Sequence, residues 1–231
     1  MSAIADNLQA VRRRISQAAI ACGRAPESID LLAVSKTWLV DCVIAAAAAG
    51  QQAFGENYVQ EGVDKINAAS ASYPMLAWHF IGPLQSNKTR QVAEHFAWVH
   101  SIERLKIAER LSAQRPPELP ALQVCIQVNV SGEASKSGCQ PAEALALCHA
   151  VAALPKLRLR GLMAIPEPSD DPSAQRAPFR LLREIFESVR ASGLPLDTLS
   201  MGMSHDLEAA IAEGATIVRI GTAIFGERNY A

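Results

Sequence analysis

Apolar residues near the start of the chain recur at Ile4, Leu8, Val11, Ile15 and Ala19, and Gly23 follows them. That spacing predicts an opening amphipathic helix with a glycine stop. Beyond it the pattern changes to short continuous apolar runs of strand length, at 31–34, around Ala53 and Phe54, at 78–81, 97–99, 122–130 and 157–163, near 198–200, and at 217–220. Helical spacing returns between them, over 39–49, 58–69, 88–95, 104–115, 141–153, 179–191 and 205–213. Strand and helix take strict turns.

Apolar runs of this kind are buried on both faces, which calls for a parallel sheet under helices. Eight such units predict a single (β/α)8 TIM-type barrel over residues 1–231, with an extra N-terminal helix. An open doubly wound sheet is the competitor, but the Gly-x-Gly-x-x-Gly turn of a dinucleotide binder is missing. Local signals agree with the helix boundaries: Pro141 at a first helical position, Ser204 ahead of an acidic turn, Gly214 at a helix end. Two proline-rich stretches break the rhythm. That at 115–120 reads as a rigid connector, and that at 165–178, long for a βα loop, reads as a surface loop with a lid as the alternative.

Composition narrows the function classes. Lys+Arg number 22 against 23 Asp+Glu, a formal net charge of −1, so no electrostatic footprint for nucleic acid or an acidic membrane exists. The longest weakly polar run, 43–50, is mostly alanine and too short to cross a bilayer, and the N-terminus has no export pattern. Five scattered cysteines (Cys22, Cys42, Cys125, Cys139, Cys148) indicate neither a disulfide framework nor a zinc site. A cytoplasmic monomer with reduced thiols is the expectation.

In a barrel the chemistry lies at the C-terminal strand ends, and the residues there are distinctive. Ser35-Lys36-Thr37 follows the first run, Gly55-Glu56-Asn57-Tyr58 the second, Ser200-Met201-Gly202 the seventh, and Arg219-Ile220-Gly221-Thr222 closes the eighth. The third contains His79. A strand-end lysine usually snorkels to water, yet a desolvated one becomes an amine able to form a Schiff base. Ser, Thr and Gly after strands seven and eight are ordinary turn residues, and also the usual holders of a phosphate in such barrels. A lysine that forms an imine opposite a phosphate cradle suits pyridoxal 5′-phosphate, and equally a sugar phosphate in a lysine-dependent aldolase. Arg219, two residues before Gly221, points the same way from the last strand. An arginine cannot accept a proton, so facing a pyridine nitrogen it would keep the ring a poor electron sink. An ion pair with an inward carboxylate is the plainer role for it.

Taken together, Ala33-Val34-Ser35-Lys36-Thr37, Phe54-Gly55-Glu56-Asn57-Tyr58, Trp78 through Lys88, Gly161-Leu162-Met163, Leu199 through Ser204 and Val218 through Gly226 resemble the pyridoxal phosphate homeostasis protein family, whose members resemble the alanine racemase N-terminal barrel domain. The resemblance implies that Lys36 holds the cofactor as an internal aldimine, that Ser200, Gly221 and Thr222 contact the phosphate, that Met201 is also cofactor-binding, and that Arg219 lies near the pyridine nitrogen. It also implies that Asn57 and His79 line the mouth, although a histidine between Trp78 and Phe80 is as readily a packed, hydrogen-bonded residue. Lys88 and Lys136 read mainly as solvated charge, and the tail Asn229-Tyr230-Ala231 lacks the lysines expected of some relatives. The implied role is to buffer and carry pyridoxal 5′-phosphate in vitamin B6 and amino-acid homeostasis, with apo-enzymes as recipients and no reaction of its own. The alternative is a racemase-like enzyme acting on amino acids. That enzyme needs a second base from a β-rich domain, which is not expected in the roughly ten residues after the eighth run.

Overall fold

The computed structural model describes residues 3–132 and 137–227. Eight parallel strands close on themselves in chain order: β1 (Asp30–Val34), β2 (Ala53–Glu56), β3 (Ala77–Phe80), β4 (Trp98–Ile102), β5 (Leu122–Gln127), β6 (Leu157–Met163), β7 (Thr198–Ser200) and β8 (Ile217–Ile220), with β8 pairing back onto β1. The helices are α1 (Ala3–Ala21), α2 (Val40–Ala48), α3 (Val59–Ser70), α4 (Thr89–His95), α5 (Leu105–Gln114), α6 (Ala144–Ala152), α7 (Pro172–Ala191), α8 (Leu207–Ala212) and α9 (Thr222–Phe225). The expected barrel and its extra first helix are both present.

Strand alternation divides the core in two. Residues facing outward, among them Ala33, Phe54, Phe80, Val99 and Val218, join the helices in one large cluster. Facing inward, Leu32, Val34, Ile81 and Ile217 form a small separate one. The inner space is tight enough that a Cβ on Gly55 would lie 3.1 Å from Ile81 and 3.2 Å from Leu32. Helix α1 buries Leu8, Val11 and Ile15, with Asn7 Nδ2 donating to Ile224 O (2.9 Å) and Arg14 pairing with Glu208. It thereby covers the side of the barrel where the last strand meets the first.

Several boundaries differ from the sequence reading. Strand β4 runs on through His100 and Ser101 to Ile102, with a register shift between Val99 and Ile102 in its pairing to β5. Two polar residues that look like a loop are therefore strand. The second half of the proline-rich stretch after β6 is helix: α7 starts at Pro172, Asp171 caps it by accepting from Ser173 N–H, and Pro178 lies inside it. Pro172, as the first helical residue, removes no intrahelical hydrogen bond, and the irregular segment shrinks to 164–171, which leaves little chain for a lid. Ser204 does not cap α8; the Asp206 carboxylate instead accepts from Met203 N–H at 2.6 Å. The connector at 115–120 is rigid because buried Arg115 donates to the carbonyls of Pro120, Ala93 and Phe96.

Strand β6 lies close against β7 at Gly161, where a Cβ would lie 1.7 Å from Thr198 O. Gly161→Ala should cost about 3 kcal/mol or more, as severe overpacking does. Urea unfolding of the variant against the parent checks this, and an unchanged midpoint would refute the close approach.

Candidate functional site

Two segments from opposite ends of the chain meet at the C-terminal mouth. The first is the Ser35–Lys36–Thr37 turn. Alternation from Leu32 and Val34 carries the half-buried Lys36 to the inner face, while Ser35 turns outward and is fully buried. Val34 pairs with Gly55, so Asn57 leaves β2 on the same inner face, beside Lys36. The Asn57 Oδ1 is buried and has no hydrogen-bond partner, a costly arrangement that invites a donor from a ligand. Gly82 lies so close against Asn57 that a Cβ would come within 2.2 Å of its carbonyl oxygen.

The second segment is the β8 exit. Gly221 caps α9, and Thr222, the exposed first residue of that helix, begins a turn whose leading amides have no acceptor within it. The Trp38 and Phe225 rings are tilted against each other with centroids 6.0 Å apart, which packs the residue two after Lys36 against the last residue of α9.

Ser200 and Met201 are placed differently from the expectation. Met201 is fully buried, its side chain packs in the outer cluster, and its N–H donates to Ile217 O at 3.1 Å. Neither its side chain nor its amide is available at the mouth. The Ser200 hydroxyl is also fully buried and is engaged from two sides, by Arg219 Nη1 (2.8 Å) and by His100 Nδ1 (2.8 Å).

Arg219 is inside the barrel, 4% exposed. Nη1 donates to Ser200 O at 2.6 Å and Nη2 to Ala164 O at 2.8 Å, so its partners are carbonyls and a hydroxyl rather than the carboxylate of an ion pair. Burial lowers its pKa to about 10, which still leaves it charged at neutral pH. Arg219 pairs in register with Leu32, four residues before Lys36.

His79 lies below the mouth. It stacks on Trp98 (5.1 Å, 6°), its Nδ1 is 2.9 Å from His100 Nε2, and it borders a cavity of about 600 Å³ with Asp30, Ala53, Ala77 and Ile217, residues at the other ends of the strands. The packed, hydrogen-bonded role describes it; the mouth does not. Arg219 can only donate, and a chain in which every link keeps a donor and an acceptor follows from it. It occupies a lone pair of Ser200 Oγ, Ser200 gives its proton to His100 Nδ1, and His100 Nε2–H donates to His79 Nδ1. The sequence pattern misses His100 because the fourth apolar run stops at Val99 while the strand continues to Ile102. Its two-residue offset from inward Trp98 was the signal that a longer strand would have exposed. Lys88 is exposed, and Lys136 and the tail from 228 lie outside the described residues. Among the described residues no cluster suits a metal ion, and no helix is long and apolar enough to cross a membrane.

This geometry defines a class: residues 1–229 match the family described as alanine racemase, N-terminal domain. The alanine racemase of Corynebacterium glutamicum superposes with a TM-score of 0.74 at 19% identity, over 98% of this chain and 61% of that one, a likeness of fold. The chain belongs to the pyridoxal phosphate homeostasis protein family. The protein of that name from Pseudomonas aeruginosa is 62% identical over 230 residues, covering 100% of this chain and 98% of the relative. The structure of PipY of Synechococcus elongatus with PLP bound matches with a TM-score of 0.85 at 36% identity, over 96% of this chain and 100% of that one.

Both histidines are held neutral by burial, His79 with its pKa pushed down to about 3 and His100 well below its usual range, lowered further by His79 and Arg219. Neutral in both states above pH 6.5, they add no pH dependence there. As pH falls, the unfolded chain takes up protons that the folded one refuses, so stability drops until pH passes the folded value near 3. The expected loss is about 1.4 kcal/mol per pH unit for each histidine well below pH 6.5. Urea midpoints at pH 7 and pH 5 should show a smaller loss in His79→Gln than in the parent, and equal losses would contradict the buried neutral pair.

Proposed function

We propose that the protein binds pyridoxal 5′-phosphate on Lys36 and buffers and carries it in vitamin B6 and amino-acid homeostasis, as a cytoplasmic monomer that hands the cofactor to apo-enzymes. One observation carries the reading: Trp38, two residues after Lys36, packs on Phe225 of the short helix that Gly221 caps and Thr222 begins, and buried Arg219 lies two residues before that cap. The cofactor supplies an aldehyde, which condenses with the Lys36 amine with loss of water. Gly221 and Thr222 offer helix-start amides to the phosphate. The unpartnered Asn57 Oδ1 gives the ring a hydrogen-bond acceptor, and its presence supports the fit of such a ligand. Arg219 faces the pyridine nitrogen as a pure donor and keeps it unprotonated, which favours holding the cofactor over using it as an electron sink. The relative with PLP bound, 36% identical across its whole length, supports the same reading. Free thiols at Cys125, Cys139 and Cys148, buried and unpaired, suit a reducing compartment.

The test is a visible spectrum of the purified protein before and after borohydride, with peptide mapping of the adduct. The expected result is a coloured protein in which reduction fixes the ligand on Lys36, and a folded but colourless Lys36→Ala variant. An adduct on another lysine, or retained colour in that variant, overturns the assignment. Racemisation or transamination of amino acids well above the rate with free cofactor would replace the carrier by the enzyme.

A further inference from the structure

The turn that bears Lys36 is anchored from outside the barrel by a second lysine. Lys65, on α3, is 5% exposed, and its ammonium has three hydrogens to place. It places them at 2.7 Å from Ser35 O, 2.8 Å from Glu56 Oε1 and 2.6 Å from Glu61 Oε1. Glu56 Oε1 also accepts the Ser35 hydroxyl at 2.6 Å, and Glu61 Oε1 accepts Thr37 N–H. The residue before Lys36 is thus held at its carbonyl and its hydroxyl, the residue after it at its amide, and every link runs to one ammonium. Thr37 has φ 69°, a conformation rare for a β-branched residue. Such a backbone persists only where its surroundings impose it, and it clusters at working sites. Stability alone is a poor reason for the cluster, because a buried ion pair seldom outperforms a packed apolar group. Glu56 Oε2 is buried without a partner, a further sign that the arrangement is not tuned for stability.

We propose that Lys65 is a positioning residue for Lys36: through Ser35, Glu56 and Glu61 it fixes the backbone on both sides of Lys36 and so directs that side chain into the mouth. The inference rests on the reading of Lys36 as the cofactor-binding amine. With the clamp gone, Thr37 relaxes to negative φ, the peptide planes beside Lys36 rotate, and the amine leaves its aim.

Two variants test it. Lys65→Met keeps the stem and removes the ammonium; Glu61→Ala, at a partly exposed position, releases Thr37 and one contact of Lys65 while leaving Glu56 paired. In cofactor-free protein, amide hydrogen exchange over residues 35–38 should accelerate by about tenfold or more in both variants, with β5 to β7 unchanged. In protein loaded with pyridoxal 5′-phosphate, affinity should fall by about tenfold, and the fraction that borohydride fixes on Lys36 should fall with it. Parental exchange and parental trapping in folded Glu61→Ala overturn the inference, whatever Lys65→Met does. If the parent itself is not trapped at Lys36, the functional reading fails, and the exchange measurement still decides whether the clamp holds the turn.

Discussion

A guanidinium inside a closed barrel has to find its hydrogen-bond acceptors within that barrel, because an unpaired buried charge costs far more than packing returns. Arg219 finds them at Ala164 O, Ser200 O and Ser200 Oγ, which tie β8 to the ends of β6 and β7. Its demand then spreads. The Ser200 hydroxyl, once it accepts from Arg219, turns to His100, His100 turns to His79, and His79 stacks on Trp98, whose ring also carries the guanidinium of Arg160 at 4.8 Å. Arg160 in turn pairs with Asp197 at 2.8 Å. A polar interior of this extent leaves little freedom for Arg219, so whatever occupies the mouth meets a donor already fixed in place.

The lysine at the mouth is supported by a different principle. Lys36 faces inward, but the groups that shape its turn lie on the outward side, between strand and helix, where alternation puts Ser35 and Glu56 against Lys65. One strand end therefore serves two environments: an inner face open to a ligand and an outer face closed by ionic hydrogen bonds. Burial pushes the Glu56 carboxyl upward while Lys65 and Ser35 draw it down, so the outer face is held by a balance of opposed effects.

The strand and helix alternation, the N-terminal helix and the closed barrel were legible in the chain because they follow from periodicity, a local property. So was Lys36 at a strand exit. Less legible were the extent of β4, where His100 and Ser101 imitate a loop, and the start of α7, where four prolines hide a capped helix. Nothing in the helical spacing over 58–69 marks Lys65 as buried. Its burial depends on two carboxylates, one in the same helix and one on a strand end.

By itself the sequence determined which side chains each strand end carries and, through period two, which of them face inward. Only the tertiary structure decided which of those groups meet. It turned Ser200 toward His100, 100 residues away, packed Met201 among the helices and lowered His79 beneath the mouth. The reason is physical: a buried polar atom must be satisfied by whatever closure of the barrel brings within about 3 Å, and closure joins residues that no local pattern relates.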